Sequence, residues 1–177
     1  TPTYSRPCCV SEITSKHNSD LAKDIDNLLS ASKKFEHKNI FMNSASPGVI
    51  SLFLSNSYYS SRNEYLEAIS KAMKDEYETI VKSGIKLQLD CPDLALSRHM
   101  TFKSESDEDF IKIAYKNMEI LNHSLHNISP EMLKDINLEM VMIFIWLEAW
   151  GILHQLLLVI HYQVKKKLFV LMEMDLY

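Results

Sequence analysis

The chain reads as an α/β protein built on parallel strands. Three observations predict this. Helical and strand-like segments alternate in the order α–β–α–β–α, the two strand-like runs are short and largely apolar, and the helices are long enough to serve as crossover connections. A doubly wound sheet and a closed (β/α)8 barrel both begin this way, and periodicity alone does not separate them.

Each element has its own signal. Residues 1–17 read as irregular, with Pro2, Pro7 and a run of Ser and Thr. From Asp20 onward, Leu21, Ile25, Leu28 and Leu29 fall on one helical face, and the helix should end near Lys34. Asn39–Asn43 is a short run suited to a buried strand, broken by Pro47-Gly48. Ser61-x-x-Glu64 has capping-box spacing and opens the next helix. Its buried stripe is Tyr65, Leu66, Ile69, Met73, Tyr77 and Ile80, and Gly84 stands where a helix stops. Ile85–Leu89 alternates apolar and polar residues before Asp90, giving a second strand. Ser106-Asp107-Glu108-Asp109 opens a further helix, its acids suited to the positive end of the helix dipole, with Phe110, Ala114, Met118, Leu121 and Leu125 facing inward.

The character changes near Asn137. Leu138–Ile160 is strongly apolar, holds both Trp residues and lacks strand–turn grammar. It is long enough to span a bilayer, and Lys165-Lys166-Lys167 follows it. Glu139, Glu148, His154 and Gln155 interrupt it, however, and a charged side chain at the bilayer centre costs on the order of 2.5–3.5 kcal/mol. The expectation is a buried or association-prone helix, not a membrane span.

Composition narrows the function. The net charge is −4 with acids and bases intermixed, so no basic footprint for nucleic acid is visible. Three glycines (Gly48, Gly84 and Gly151) allow neither GxGxxG nor GxxxxGK[ST], which removes the usual dinucleotide and P-loop cradles. Three cysteines, Cys8, Cys9 and Cys91, argue against a disulfide framework and contain no CxxC pair. TPTYSRPCCV lacks the apolar core of a signal peptide, so the expected compartment is reducing and cytoplasmic. The sequons Asn122-His123-Ser124 and Asn127-Ile128-Ser129 are then chance matches.

Candidate site residues cluster where strands end. Asp90 and Ser46 both lie just past strand ends, although Asp90 with Pro92 equally suits an ordinary strand terminator and Ser46-Pro47-Gly48 a tight turn. Asp93 is expected as an exposed turn or cap, and Arg98-His99 either faces the same end or the surface. Tyr58-Tyr59 suits packing more than ligand stacking. Glu119, His123 and His126 share one helical face but form no HExxH pattern, so no metal is assigned to them.

A run of short matches, in order, gives the chain a resemblance to a known family. Phe41-Met42, Ser46-Pro47-Gly48, Tyr58-Tyr59, Tyr65-Leu66, Ala72-Met73, Glu76-Tyr77 and Gly84 are followed by Leu87-Gln88-Leu89-Asp90-Cys91-Pro92-Asp93-Leu94-Ala95. Asp24-Ile25-Asp26-Asn27-Leu28 precedes them; Leu121-Asn122-His123 and Ser129-Pro130-Glu131 follow. Over about residues 7–136 this resembles the C-terminal catalytic barrel of cobalamin-independent methionine synthase, and most of all that family's shorter methionine-synthase-like members. The resemblance implies a (β/α)8 barrel with its site at the C-terminal strand ends. It implies zinc-dependent methyl transfer from 5-methyltetrahydrofolate to a thiol such as homocysteine, with Asp90 holding the substrate's amino group and Ser46 donating to substrate.

The chain also departs from the family. Relatives usually carry a second acid at the position of Cys91. Where they carry His-x-Cys and Trp-Gly-Asn, this chain reads Ile136-Asn137-Leu138-Glu139-Met140-Val141-Met142, and no Cys follows Cys91. The family's first barrel strand has no counterpart either. The expectation is therefore about three βα units of a partial barrel over 1–136, no zinc site, and a divergent hydrophobic helical tail over 137–177. Such a piece is expected to be inactive, to expose strand edges that favour self-association, or to persist as a noncatalytic binding module that assembles with another chain. An origin of the tail in a frameshift, a missed intron or a degraded gene is checked by sequencing the transcript; a continuous message encoding the tail counts against it.

Overall fold

A computed structural model describes residues 7–15, 19–36 and 39–133. The predicted tail, its apolar Leu138–Ile160 run and Ile136–Met142 lie outside the described residues. The elements are β1 (Cys8–Cys9), α1 (Ser19–Lys34), β2 (Phe41–Ala45), α2 (Pro47–Phe53), β3 (Ser55–Asn56), α3 (Arg62–Lys82), β4 (Lys86–Asp90), α4 (Ser97–Met100) and α5 (Asp107–Ser124), with 3-10 turns at Pro92–Leu94 and Pro130–Met132.

The fold is mixed α/β with small parallel sheets. β2 and β4 pair in parallel, Phe41 opposite Lys86 through Ala45 opposite Asp90, with α3 in the connection between them. Leu133 forms a parallel bridge to Leu87, on β4. A second pair, β1 with β3, is also parallel. Both of its strands are two residues long, and β1 lies inside the stretch expected to be irregular. Two residues carry no periodicity, so nothing in the pattern marks them. Tyr59 helps hold this segment: its hydroxyl accepts from the Ile13 amide at 2.8 Å, and its ring lies 5.8 Å from that of Tyr65.

Helix boundaries follow their capping chemistry. Ser61 accepts from the Glu64 amide at 3.2 Å, as the spacing predicts. The return arm reaches one residue further: Glu64 accepts from the Ser60 amide at 3.2 Å and the Ser60 hydroxyl at 2.6 Å. Ser106 caps α5 through the Asp109 amide at 3.1 Å. Ser46-Pro47-Gly48 is not a simple turn. Ser46 is the N-cap of α2, accepting from the Val49 amide at 3.1 Å, and Pro47 takes the first helical position, where a missing N–H is harmless.

The core lies on one face of the β2–β4 sheet. Leu87 and Leu89 of β4 meet Ile25 of α1, Tyr77 and Ile80 of α3, and Leu121 of α5, with Met42 of β2 packed against them. Strand alternation sends the other set of side chains to the opposite face. There Phe41, Asn43, Lys86 and Asp90 are exposed. Among the described residues no helix is long and apolar enough to cross a membrane.

Candidate functional site at the strand ends

The parallel pairing of β2 and β4 carries Ser46 and Asp90 to the same end of the sheet. The Ser46 amide donates to the Asp90 carbonyl at 3.0 Å, extending the ladder one step past the strands. Asp90 itself is exposed on the face away from the helices, at the C-terminal end of its strand. Ser46 is different. It is 1% exposed, and its hydroxyl donates to Asp93 Oδ1 at 2.5 Å. The proton expected to serve a substrate is directed into the protein.

Asp93 corrects the expectation of an exposed turn. It is 1% exposed, in the 3-10 turn after β4, because three elements close over it. Asn117 of α5 donates through Nδ2 to Asp93 Oδ2 at 2.8 Å, and Arg62, at the start of α3, donates to Asn117 Oδ1 at 2.9 Å. The Arg62 guanidinium lies over the Phe102 ring, 5.6 Å from its centre. Gly48 completes the enclosure: a Cβ there would overlap Asp93 Oδ2 and stand 2.5 Å from its Cγ. The Ser97 hydroxyl donates to the Asp93 carbonyl at 2.5 Å. Asn117, the one polar residue on the apolar stripe of α5 that reaches this centre, is the signal the sequence carries for it.

Burial dominates the electrostatics. It pushes the Asp93 carboxyl above the usual range, opposed by hydrogen bonds from Ser46 and Asn117 and by the Arg62 charge. It also lowers Arg62, opposed by Asp93. The Cys91 thiol is pushed well above its ordinary value, first by burial and then by Asp93, so it stays neutral.

The raised Asp93 carboxyl has a defined consequence for stability. The folded state holds this proton to a higher pH than the unfolded chain, whose carboxyl ionises near about pH 3.9. Its contribution is therefore complete below that value and is lost as pH rises to the folded-state pKa. Urea unfolding of wild type and Asp93→Asn from about pH 4 upward should show the wild-type advantage shrinking with pH; a constant difference would mean an unshifted carboxyl.

The remaining candidates are placed elsewhere. Arg98 donates to the Phe102 carbonyl at 2.8 Å and pairs with Asp107 at 2.9 Å, while His99 is exposed. Tyr58 is exposed and meets Tyr59 edge-on at 5.0 Å. Glu119 pairs with Lys116 at 3.0 Å, and the His123 and His126 rings stack at 6.3 Å. Among the described residues no three His, Cys, Asp or Glu side chains gather as a metal-holding group.

What the arrangement offers chemically is one exposed carboxylate at a strand end, seated on a buried hydrogen-bonded base. Comparison with protein-family models, with curated proteins and with solved structures finds no match to this chain.

Proposed function

We propose that these residues form part of a methionine-synthase-like (β/α)8 barrel in which Asp90 holds the ammonium group of an amino-acid thiol such as homocysteine. In this reading the chain binds that substrate without itself carrying methyl transfer from 5-methyltetrahydrofolate. One observation supports it above the others: the Asp90 carboxylate is exposed at the C-terminal end of a parallel strand, on the face no described helix covers. A carboxylate so placed makes a charge-assisted hydrogen bond to an ammonium group. The Leu87 to Leu133 bridge also suits a barrel, since it puts the next segment beside β4.

Zinc does not fit the donors described. Among the described residues Cys91 is the one thiol at these strand ends, and no three His, Cys, Asp or Glu side chains gather there to hold the ion. No step is routed through the metal. A second reading, a noncatalytic module that assembles with another chain, draws on the large apolar ring of Phe41 exposed on the uncovered sheet face.

Calorimetric titration with L-homocysteine, alongside zinc analysis and a methyl-transfer assay, tests both. Asp90→Asn should weaken binding by about 10- to 100-fold, the range for a hydrogen bond to a charged group, with no turnover in either protein. Unchanged affinity in the variant overturns the Asp90 assignment, and stoichiometric zinc with turnover overturns the inactivity. A wild-type chain that binds no amino acid and elutes as a defined oligomer supports the second reading instead.

A further inference from the structure

A buried carboxylate held by neutral partners is costly unless each of its oxygens accepts a hydrogen bond. Asp93 is answered by two neutral donors, the Ser46 hydroxyl at 2.5 Å and the Asn117 amide at 2.8 Å. The direction of Asn117 is itself set. Its oxygen accepts from Arg62 at 2.9 Å, so its nitrogen must face the carboxylate. The amide thereby aligns a dipole between cation and anion, and each bond polarises the next. At the other end Ser46 uses both its donors on one short segment. Its amide takes the Asp90 carbonyl at 3.0 Å, and its hydroxyl takes the Asp93 side chain. The four residues Asp90-Cys91-Pro92-Asp93 are gripped at both ends by one serine.

We infer that Asp93 and Asn117 are a matched pair of positioning residues for Asp90: the polarity running from Arg62 through Asn117 and Asp93 to Ser46 seats the Asp90–Asp93 turn and so aims the exposed carboxylate. This inference rests on the reading of Asp90 as the substrate contact. It requires polarity as well as volume. Asp93→Asn keeps the shape but loses one contact in either orientation: its amide nitrogen faces the Asn117 nitrogen, or it faces Ser46, reverses that bond and leaves the serine proton without its acceptor. Asn117→Asp sets two carboxylates face to face. Exchanging the two restores every partner. Arg62 then donates to the carboxylate now on α5, which also accepts from the amide now in the turn, and Ser46 donates to that amide's oxygen. A role in packing alone gives no reason for two damaging near-isosteric changes to cancel.

The full chain is made as wild type, Asp93→Asn, Asn117→Asp and the double exchange. L-homocysteine affinity is read by calorimetry, and hydrogen exchange is read at the Ser46, Val49 and Leu94 amides, which bond to the Asp90 carbonyl, the Ser46 hydroxyl and the Cys91 carbonyl. Each single change should weaken binding by about 10- to 100-fold and speed exchange at these amides. The double exchange should return both to within about twofold of wild type. Single variants that bind and exchange like wild type overturn the pair, as does a double variant whose losses add. Should Asn117→Asp not fold, Asp93→Asn against the double exchange carries the same decision. A wild-type chain that binds no homocysteine removes the Asp90 reading. Exchange then decides the pair alone: protection lost in the single variants and regained in the double sustains it as the clamp on the turn, and protection unchanged in the single variants overturns it.

Discussion

Gly48→Ala should destabilise the protein by about 3 kcal/mol, the sum expected for forcing a methyl into a filled site and disturbing a buried charged network. The added Cβ would overlap Asp93 Oδ2, lie 2.5 Å from Asp93 Cγ and 2.8 Å from Asn117 Nδ2. Neither neighbour is the loose end of a flexible chain. Asp93 is tied to Ser46 and Asn117, and Asn117 is tied to Arg62, so retreat breaks at least one hydrogen bond between buried groups. Alanine's better helix propensity, about 1 kcal/mol in a helix interior, opposes this and is the smaller term. Gly84 supplies the contrast. It follows α3 with φ +81°, and a Cβ there meets nothing within 4 Å. Gly84→Ala is charged only with the left-handed backbone, about 1–2 kcal/mol. Urea midpoints at unchanged slope measure both. Equal losses at the two glycines would mean that the carboxylate has room to move.

That contrast also separates what was legible in the sequence from what was not. Gly84 was readable because a glycine after a long amphipathic stripe has a local reason, the left-handed helix stop. Gly48 beside Pro47 has the local look of a chain breaker, whereas its constraint comes from Asp93 and Asn117, far along the chain. The same division holds for the elements. α1, α3 and α5 announced themselves through spaced apolar residues, α3 also through its capping box and α5 through its N-terminal acids, and β2 and β4 through short bounded runs. β1 and β3 are too short for any period to register. At the site, Asp90 was visible as an acid at a strand's end. Asp93 follows a proline and looks like surface; its burial is decided by Ser46, Gly48 and Asn117, which no local pattern connects to it. Asn117 had the better signal, a polar side chain on the buried stripe between Ala114 and Leu121.

Tyr77→Ala should cost about 5 kcal/mol, the largest loss predicted for a single side chain here: about 3–5 for the cavity, with the lost hydrogen bond added. The ring is fully buried in the core that joins α1, α3, β4 and α5. Its hydroxyl donates to the Ala45 carbonyl at 2.5 Å, and Ala45 is the last residue of β2, immediately before Ser46. Burial, with Cys91 adding to it, holds the phenol proton far above its ordinary range, so Tyr77 remains a donor throughout the pH range in which the protein is handled. The side chain thus does two separable things: it fills the core, and it ties the helix layer to the strand end that carries Ser46. Tyr77→Phe removes only the second, at about 0.5–1.5 kcal/mol. It should speed hydrogen exchange at the Ser46 amide, whose carbonyl partner belongs to Asp90, while leaving core amides of α3 protected. If Tyr77→Phe left the Ser46 amide as protected as in wild type, the tie to Ala45 would be incidental to the strand end. The alanine variant would then report packing alone, and the seat of Asp90 would depend on Ser46 and Asp93 without support from the core.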